Sequence, residues 1–335
     1  MASRTVAGRT STSPSAAWNN CRPSTACARS GSPEVPRPQL LAWLGLALAS
    51  LFWAGNSLVA RAFSGPIPPL SLAFWRWAVA LLILLPLVGP SLWRHRQVLR
   101  AAGWRLWVAA LLAIALYNCL LYTAALSTAA INLSLVSTCL PLATFVGAGL
   151  LLGEWPARRA WFGLGLALLG LFWLIGQGDW GVLSSLSFAQ GDLLMLLATL
   201  DWALYSLLLR RWNRYFQLPP FTLLGALVLL GLLMLTPLYA WDQWRGVRFE
   251  PSPANLGAIG YTALFASVIA YQLWNIGLRE LGAARTAMSN YLMPVFTALL
   301  AWLLLDEGLQ AYHWIGGGLI LLGLLLAGRL QESRA

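Results

Sequence analysis

Displaced by 153 positions, a long block of this 335-residue chain falls onto itself without a gap. Ala113 meets Ala266, Leu120 meets Leu273, Pro141 meets Pro294, Thr144 meets Thr297, Glu154 meets Glu307 and Trp161 meets Trp314. Gly163, Gly165 and Gly170 meet Gly316, Gly318 and Gly323. Leucines could coincide by chance in an apolar chain, but a Pro, a Glu, a Trp and a set of Gly in register are hard to dismiss. A looser match joins Trp53, Ala54, Ser57 and Arg61 to Trp202, Ala203, Ser206 and Arg210 at an offset of 149, and Pro86 to Pro237 at 151. Repeats of this kind in a hydrophobic chain point to two halves built around a central pathway.

The solvent for such a chain is lipid. Hydrophobic residues make up 59% of it and charged residues 10%, against roughly 25% charged in a soluble domain. Apolar runs of about 20 residues, enough to cross a ~30 Å hydrocarbon core as helix, recur from Leu40 onward. Only helices and closed barrels satisfy their backbone there, and continuous rather than alternating apolarity selects helices. Ten spans are expected, over roughly 40–62, 69–89, 104–126, 129–152, 158–177, 191–212, 218–240, 255–278, 283–305 and 312–329. Pro68, Pro69, Pro219 and Pro220 stand at helix starts, where Pro is tolerated.

The net charge is +11, and every basic residue is Arg. With the N-terminus placed inside, the inner loops hold Arg94, Arg96, Arg100 and Arg105, then Arg158 and Arg159, then Arg210, Arg211 and Arg214, then Arg279 and Arg285, with Arg329 and Arg334 at the C-terminus. The outer side holds only Arg61, Arg245 and Arg248, beside most of the acids. This is the positive-inside bias, and it assigns the arginines to orientation rather than to nucleic-acid binding. Both termini are then cytoplasmic. Five spans per half is an odd number, so the second half enters the membrane the opposite way up. The expected fold class is an all-α membrane protein of ten transmembrane helices, arranged as two inverted five-helix repeats over residues 39–178 and 190–330. Residues 1–38, rich in Ser, Arg, Ala, Pro and Thr, read as a disordered basic N-terminal tail. They lack the apolar core of a secretory signal.

These residues resemble the EamA type of the drug/metabolite transporter superfamily. Phe52-Trp53-Ala54-Gly55-Asn56 is similar to the family's Trp-Gly-(Ser/Asn) stretch in its first helix. Pro141 to Glu154 and Pro294 to Glu307 each resemble its Pro, apolar run and Glu; Gly163 to Gly165 and Gly316 to Gly318 resemble its Gly-rich stretch, and Gly191-Asp192 its start to the sixth span. The resemblance covers about residues 40 to 330 and implies a ten-helix carrier of small organic solutes, often an exporter of amino acids or related metabolites. Asp201 departs from the pattern, since an apolar or small residue is more usual beside that Trp.

Polar groups at midspan are costly toward lipid, so they should face a cavity or another helix. Candidate substrate-binding residues are Trp53, Asn56, Tyr117, Asn118, Tyr122, Asn132, Ser137, Asp201, Tyr205, Tyr271, Asn275, Asn290 and Tyr291. Asn118 and Tyr122 share a helix face, as do Tyr271 and Asn275, and the two pairs fall at repeat-related positions in swapped order. Their amides and phenols could hydrogen-bond a polar metabolite, or they could join helices to one another. Asp201 could carry a coupling proton or hold a substrate amine; equally, it could form a buried ion pair with Arg76. Pro141 and Pro294, each about midway along a span, are candidate hinges. Glu154 and Glu307, at membrane edges, suit helix capping, with a gate role as the alternative. The glycine clusters suit close helix packing, and the many Trp suit interfacial belts.

No spacing of Cys, His or acids makes a metal site, and there is no nucleotide-binding loop; no cofactor is expected. The function expected is a secondary transporter of small polar or amphipathic metabolites, amino-acid-like solutes favoured and export preferred, working by alternating access in a bacterial inner (plasma) membrane. Its partners are the solute and the lipid bilayer, with no nucleic acid; a homodimer is compatible with the sequence. The alternative is an intramembrane enzyme acting on a lipid or lipid-linked substrate, which would need clustered acids, His or metal ligands at one depth. A non-transporting receptor is the third reading, disfavoured by midspan polar residues in both halves.

Overall fold

The computed structural model describes residues 37–128, 130–155, 158–175, 178–179, 190–305 and 311–332. All but the last two residues of the expected tail, together with Asp306, Glu307 and the side chain of Asn132, lie outside the described residues. Those described form helices and short connections, with no strand among them. The order is α1 (Arg37–Ala62), α2 (Pro69–Arg94), α3 (Arg96–Ala102), α4 (Trp104–Ala124), α5 (Ala130–Ser137), α6 (Leu140–Leu152), α7 (Arg158–Ile175), α8 (Gln190–Arg211), α9 (Pro220–Trp244), α10 (Pro253–Leu281), α11 (Ala283–Met288), α12 (Leu292–Leu305) and α13 (Ala311–Glu332). Seven segments among the described residues are long and apolar enough to span a membrane, and three shorter apolar stretches lie at Ser137–Leu152, Ala160–Gly170 and Trp314–Gly323. The chain is an integral, multi-pass membrane protein.

The exterior fits that solvent. Leu82 and Leu87 on α2 are each 69% exposed, and leucines line the outer faces of α1, α8 and α12. Water would not tolerate this continuous apolar surface, but hydrocarbon does. Exposed tryptophans gather near helix ends: Trp93 closes α2, Trp104 and Trp107 open α4, and Trp241 and Trp244 close α9. They match the amphipathic belts of a bilayer interface.

Two helices depart from α geometry at corresponding places. Leu111–Leu116 of α4 and Thr262–Ile269 of α10 are π-helical. Displaced by 153 positions, the first falls on 264–269, inside the second. The wider π turn loosens the backbone ladder and leaves carbonyls open to other donors. Breaks also correspond. The chain turns between α5 and α6, just ahead of Pro141, and passes through a 3-10 turn at Ser289–Tyr291, just ahead of Pro294. Each Pro therefore sits in the first turn of a new helix rather than at a kink within one. A missing N–H costs nothing at that position.

The α7–α13 pair shows a reciprocal crossing. A Cβ added at Gly170 would lie 2.6 Å from Leu319 Cβ and 2.7 Å from the Gly316 carbonyl oxygen. One added at Gly323 would lie 2.6 Å from the Ala167 nitrogen and from the Gly163 carbonyl oxygen. Only a missing side chain lets the two backbones approach this closely. Of the glycines expected to allow close packing, Gly165 and Gly318 face open space. Gly163 and Gly316 contribute carbonyls, and the fit depends on Gly170 and Gly323.

Gly170→Leu and Gly323→Leu should each cost about 1–3 kcal/mol through overpacking. Both should lower the melting temperature of the purified protein in detergent. Gly318→Leu, with nothing within 4 Å of its added Cβ, should leave it unchanged.

Candidate functional site

The centre of the structure holds a cluster of rings. Trp53 of α1, Trp77 of α2, Tyr117 of α4, Trp202 and Tyr205 of α8, and Tyr271 and Trp274 of α10 pack with centroids 4.9–6.0 Å apart, mostly tilted or edge-on. Edge-to-face contact suits ring quadrupoles and adds to burial. Helical spacing assembles it: Trp202 and Tyr205 lie three apart, as do Tyr271 and Trp274, so each pair projects from one face.

Against this cluster lies a cavity of ≈ 20 Å³, lined by Trp53, Tyr117, Ser137, Leu140, Thr199, Trp202, Tyr271, Asn290 and Met293. That volume admits about one water molecule. Five expected residues meet here: Trp53, Tyr117, Ser137, Tyr271 and Asn290. Asn290 Nδ2 donates to the Ser137 carbonyl oxygen at 2.6 Å and to Ser137 Oγ at 3.1 Å. Those two residues stand 153 positions apart, so equivalent places in the repeat touch across the cavity.

A second group of expected residues surrounds Arg76 instead of the cavity. Arg76 is 1% exposed. Its Nη1 donates to Asn118 Oδ1 at 2.8 Å, to the Tyr122 hydroxyl at 2.7 Å and, more weakly, to Asn56 Oδ1 at 3.5 Å. Nη2 donates to the Ala266 carbonyl at 2.9 Å, and Nε to Ser267 Oγ. The Tyr122 hydroxyl in turn donates to Asn56 Oδ1 at 3.1 Å. The rings of Trp77, Tyr122 and Tyr271 lie 5.0–5.9 Å from the guanidinium carbon. Asn56, Asn118 and Tyr122 thus serve Arg76, which the sequence had offered only as a partner for Asp201. The Asp201–Arg76 pair does not form.

The π segments supply the acceptors. Ala266 also accepts from Trp53 Nε1 at 3.0 Å. Its repeat counterpart, Ala113, accepts from the Tyr271 hydroxyl at 2.8 Å. Each opened carbonyl is therefore met by a side chain from the other end of the sequence. No composition or spacing signal announced these π turns.

The remaining expectations scatter. The Tyr205 hydroxyl donates to Asn275 Oδ1 at 3.1 Å. Asn275 also borders a larger cavity of ≈ 280 Å³, lined in addition by Arg210, Arg279 and Glu280 at the ends of α8 and α10 and by Asn213 and Gln217 of the connection between α8 and α9. Tyr291 is buried with Phe145, Leu164, Met288 and Ile320, facing α7 and α13 rather than the cavity. Asp201 is 7% exposed, with both carboxylate oxygens buried and without a hydrogen-bond partner among the described residues. Glu154 Oε1 accepts from Arg210 Nη2 at 2.7 Å, an exposed pair tying the end of α6 to the end of α8. Among the described residues no group of three or more His, Cys, Asp or Glu could hold a metal ion. Trp202, the repeat counterpart of Trp53, lines the cavity as well; the missed lining residues were Thr199, Leu140 and Met293, whose side chains carry no signal apart from ordinary core.

Arg76→Met should strand Asn118 Oδ1 without its donor and cost about 1–3 kcal/mol. Arg76→Lys should recover only part of that loss, because a compact ammonium cannot span acceptors on three helices. Thermal unfolding of the purified variants in detergent checks both.

Comparison with known proteins agrees with this architecture. The chain matches the EamA-like transporter family twice, over residues 40–176 and 189–329. An uncharacterized transporter of Archaeoglobus fulgidus is 30% identical over 300 residues, covering 86% of this chain and 97% of that protein. The aromatic amino acid exporter YddG of Salmonella typhimurium is 28% identical over 294 residues, covering 83% of this chain and 94% of that protein. One crystal structure superposes with a TM-score of 0.68 at 22% identity, covering 88% of this chain and 98% of the other. Apolar spans, paired helix breaks and a doubled match converge: the chain belongs to the EamA-like transporter family.

Proposed function

We propose that the protein is a secondary transporter exporting small amphipathic metabolites, aromatic amino-acid-like solutes foremost, by alternating access. The observation that carries this reading is the central cavity, walled by rings and edged by Ser137, Thr199 and Asn290. Rings can cover a solute's apolar part while the hydroxyls and amide bond its polar end. At ≈ 20 Å³ the cavity is closed around no solute, so binding requires the helices to part. The name of the Salmonella relative supports the same solute class.

The architecture proposed is ten spans in two inverted halves, residues 39–178 and 190–330. Paired π turns, paired breaks before Pro141 and Pro294, and the reciprocal glycine crossing support it. In this reading the two prolines are hinges, since each begins a helix segment beside a cavity residue. The larger cavity, rich in Arg at its rim, is a vestibule toward the cytoplasm, and the Tyr205–Asn275 bond separates it from the rings. Both termini are cytoplasmic, in an inner (plasma) membrane, by the arginine bias.

Two measurements test this. In proteoliposomes, labelled tryptophan should exchange across the membrane, and Trp202→Ala at equal protein load should weaken it. Removing a buried ring of that size is worth about 1.5–3 kcal/mol, or roughly tenfold to a hundredfold in affinity. Wild-type protein that moves no aromatic amino acid overturns the solute assignment. In oriented membrane vesicles, an impermeant maleimide should reach Cys21 and Cys27 and a cysteine introduced at Ala335 from the same side. Labelling of the two ends from opposite sides defeats the inverted arrangement.

A further inference from the structure

The cavity at the ends of α8 and α10 holds charged groups that the ring cluster does not explain. At ≈ 280 Å³ it is far larger than the ≈ 20 Å³ space among the rings, and it approaches the ~300 Å³ at which small-molecule sites begin. Its walls are of two kinds. Leu209, Phe216, Leu218 and Leu278 are buried and apolar. Arg210, Arg279 and Glu280 bring both signs of charge to the rim. Asn275, 3% exposed, lies four residues before Arg279 and so on the same face of α10, deeper in the fold.

The two arginines are not equivalent. Arg210 is engaged already: its Nε and Nη2 donate to Glu154 Oε1 at 3.3 and 2.7 Å. A Cβ added at Gly282 would lie 2.6 Å from Arg210 Nη1, so the guanidinium is also hemmed in ahead of α11. Arg279 has no hydrogen bond or ion pair with any described residue, and neither has Glu280. Neighbours on a helix do not face each other, so these two charges cannot neutralise one another although both border the cavity. The Asn275 amide is half satisfied: Oδ1 accepts from the Tyr205 hydroxyl, while Nδ2 is buried without an acceptor among the described residues. An unpaired buried donor is costly, and a ligand oxygen would repair it.

We infer that this cavity docks the zwitterionic head of an amphipathic α-amino acid, selected by Arg279 and Glu280; this rests on the transport reading above. The carboxylate of the solute meets the Arg279 guanidinium, whose planar fork matches it. Asn275 Nδ2 is the further donor once that carboxylate presses against the Tyr205–Asn275 bond. The ammonium meets Glu280, and the side chain lies on Phe216, Leu218 and Leu278. Apolar contact discriminates weakly between side chains, whereas paired charges discriminate strongly between heads. The cavity therefore gathers the solute by its head, just outside the bond that bars the way to the rings.

The test uses the purified protein in phosphatidylcholine nanodiscs. Labelled tryptophan is titrated in, with indole-3-propionate (carboxylate, no amine) and tryptamine (amine, no carboxylate) as competitors. Arg279→Gln should weaken tryptophan and indole-3-propionate about fivefold or more and leave tryptamine as it was. Glu280→Gln should weaken tryptophan and tryptamine by a similar factor and leave indole-3-propionate as it was. Both positions are exposed, so the variants should fold. Arg248→Gln, ahead of the opposite end of α10, should change nothing. Wild type that binds no tryptophan overturns the inference, and so does any variant result in which the three ligands change alike or not at all. Loss of tryptophan binding when the lipid is phosphatidylethanolamine overturns it too, because the lipid's own zwitterionic head would then be the occupant. Proteoliposomes that move no aromatic amino acid, beside the expected charge pattern in binding, count against the transport reading and leave the docking site standing. Transport without that pattern does the reverse.

Discussion

Arg76 sits in the interior with almost none of its surface exposed, and every group bonded to it is neutral. A buried charge without an anion is stable only when its donors are spread over well-placed dipoles. Here the amides of Asn56 and Asn118, the Tyr122 hydroxyl, Ser267 Oγ and the Ala266 carbonyl share the task. These groups belong to α1, α4 and α10, while Arg76 belongs to α2. The guanidinium thus ties four helices together at one depth. In the second half, the position 151 residues later is Leu227, which is buried. The two family-matched segments therefore differ in charge at this place.

The carbonyls explain how so much polar chemistry survives in an apolar interior. An ordinary α-helix consumes its own acceptors and has little to offer a neighbour. The π turns in α4 and α10 open Ala113 and Ala266 to Tyr271, Trp53 and Arg76. These bonds cross between elements distant in sequence and orient the rings that wall the cavity. The cavity walls are therefore held by hydrogen bonds at their backs as well as by packing. Asp201 stands outside this system, which is why its two oxygens are so conspicuous beside the satisfied Arg76.

Much of the fold was legible because lipid leaves so few choices. Apolar runs locate helices near every expected span, and Trp93, Trp241 and Trp244 mark their ends. Within the site, Trp53, Tyr117, Ser137, Tyr271 and Asn290 could be read as cavity candidates because polar and ring groups at midspan face a cavity or another helix rather than lipid. Asn118 and Tyr122 could be paired by helix spacing, but their partner could not be read. Arg76 comes from a different helix, and nothing local shows which of several polar residues it faces. Tyr291 misled for a related reason: it follows Asn290 directly, and adjacent residues on a helical turn point to different neighbours. Glu154 pairs with an arginine more than fifty residues away, a partner that its place at a helix edge did not disclose.

The crossing of α7 and α13 carries one further meaning. Gly170 sits against the backbone at Gly316, and Gly323 sits against the backbone at Gly163, so each glycine docks on the counterpart of its own helix's earlier glycine. A contact in which i meets j and j meets i is the mark of a twofold axis between identical partners. A single ancestral unit bearing one such glycine would have acquired both halves of the joint at once by pairing with a copy of itself. Within one polypeptide, either side of such a joint is free to drift alone.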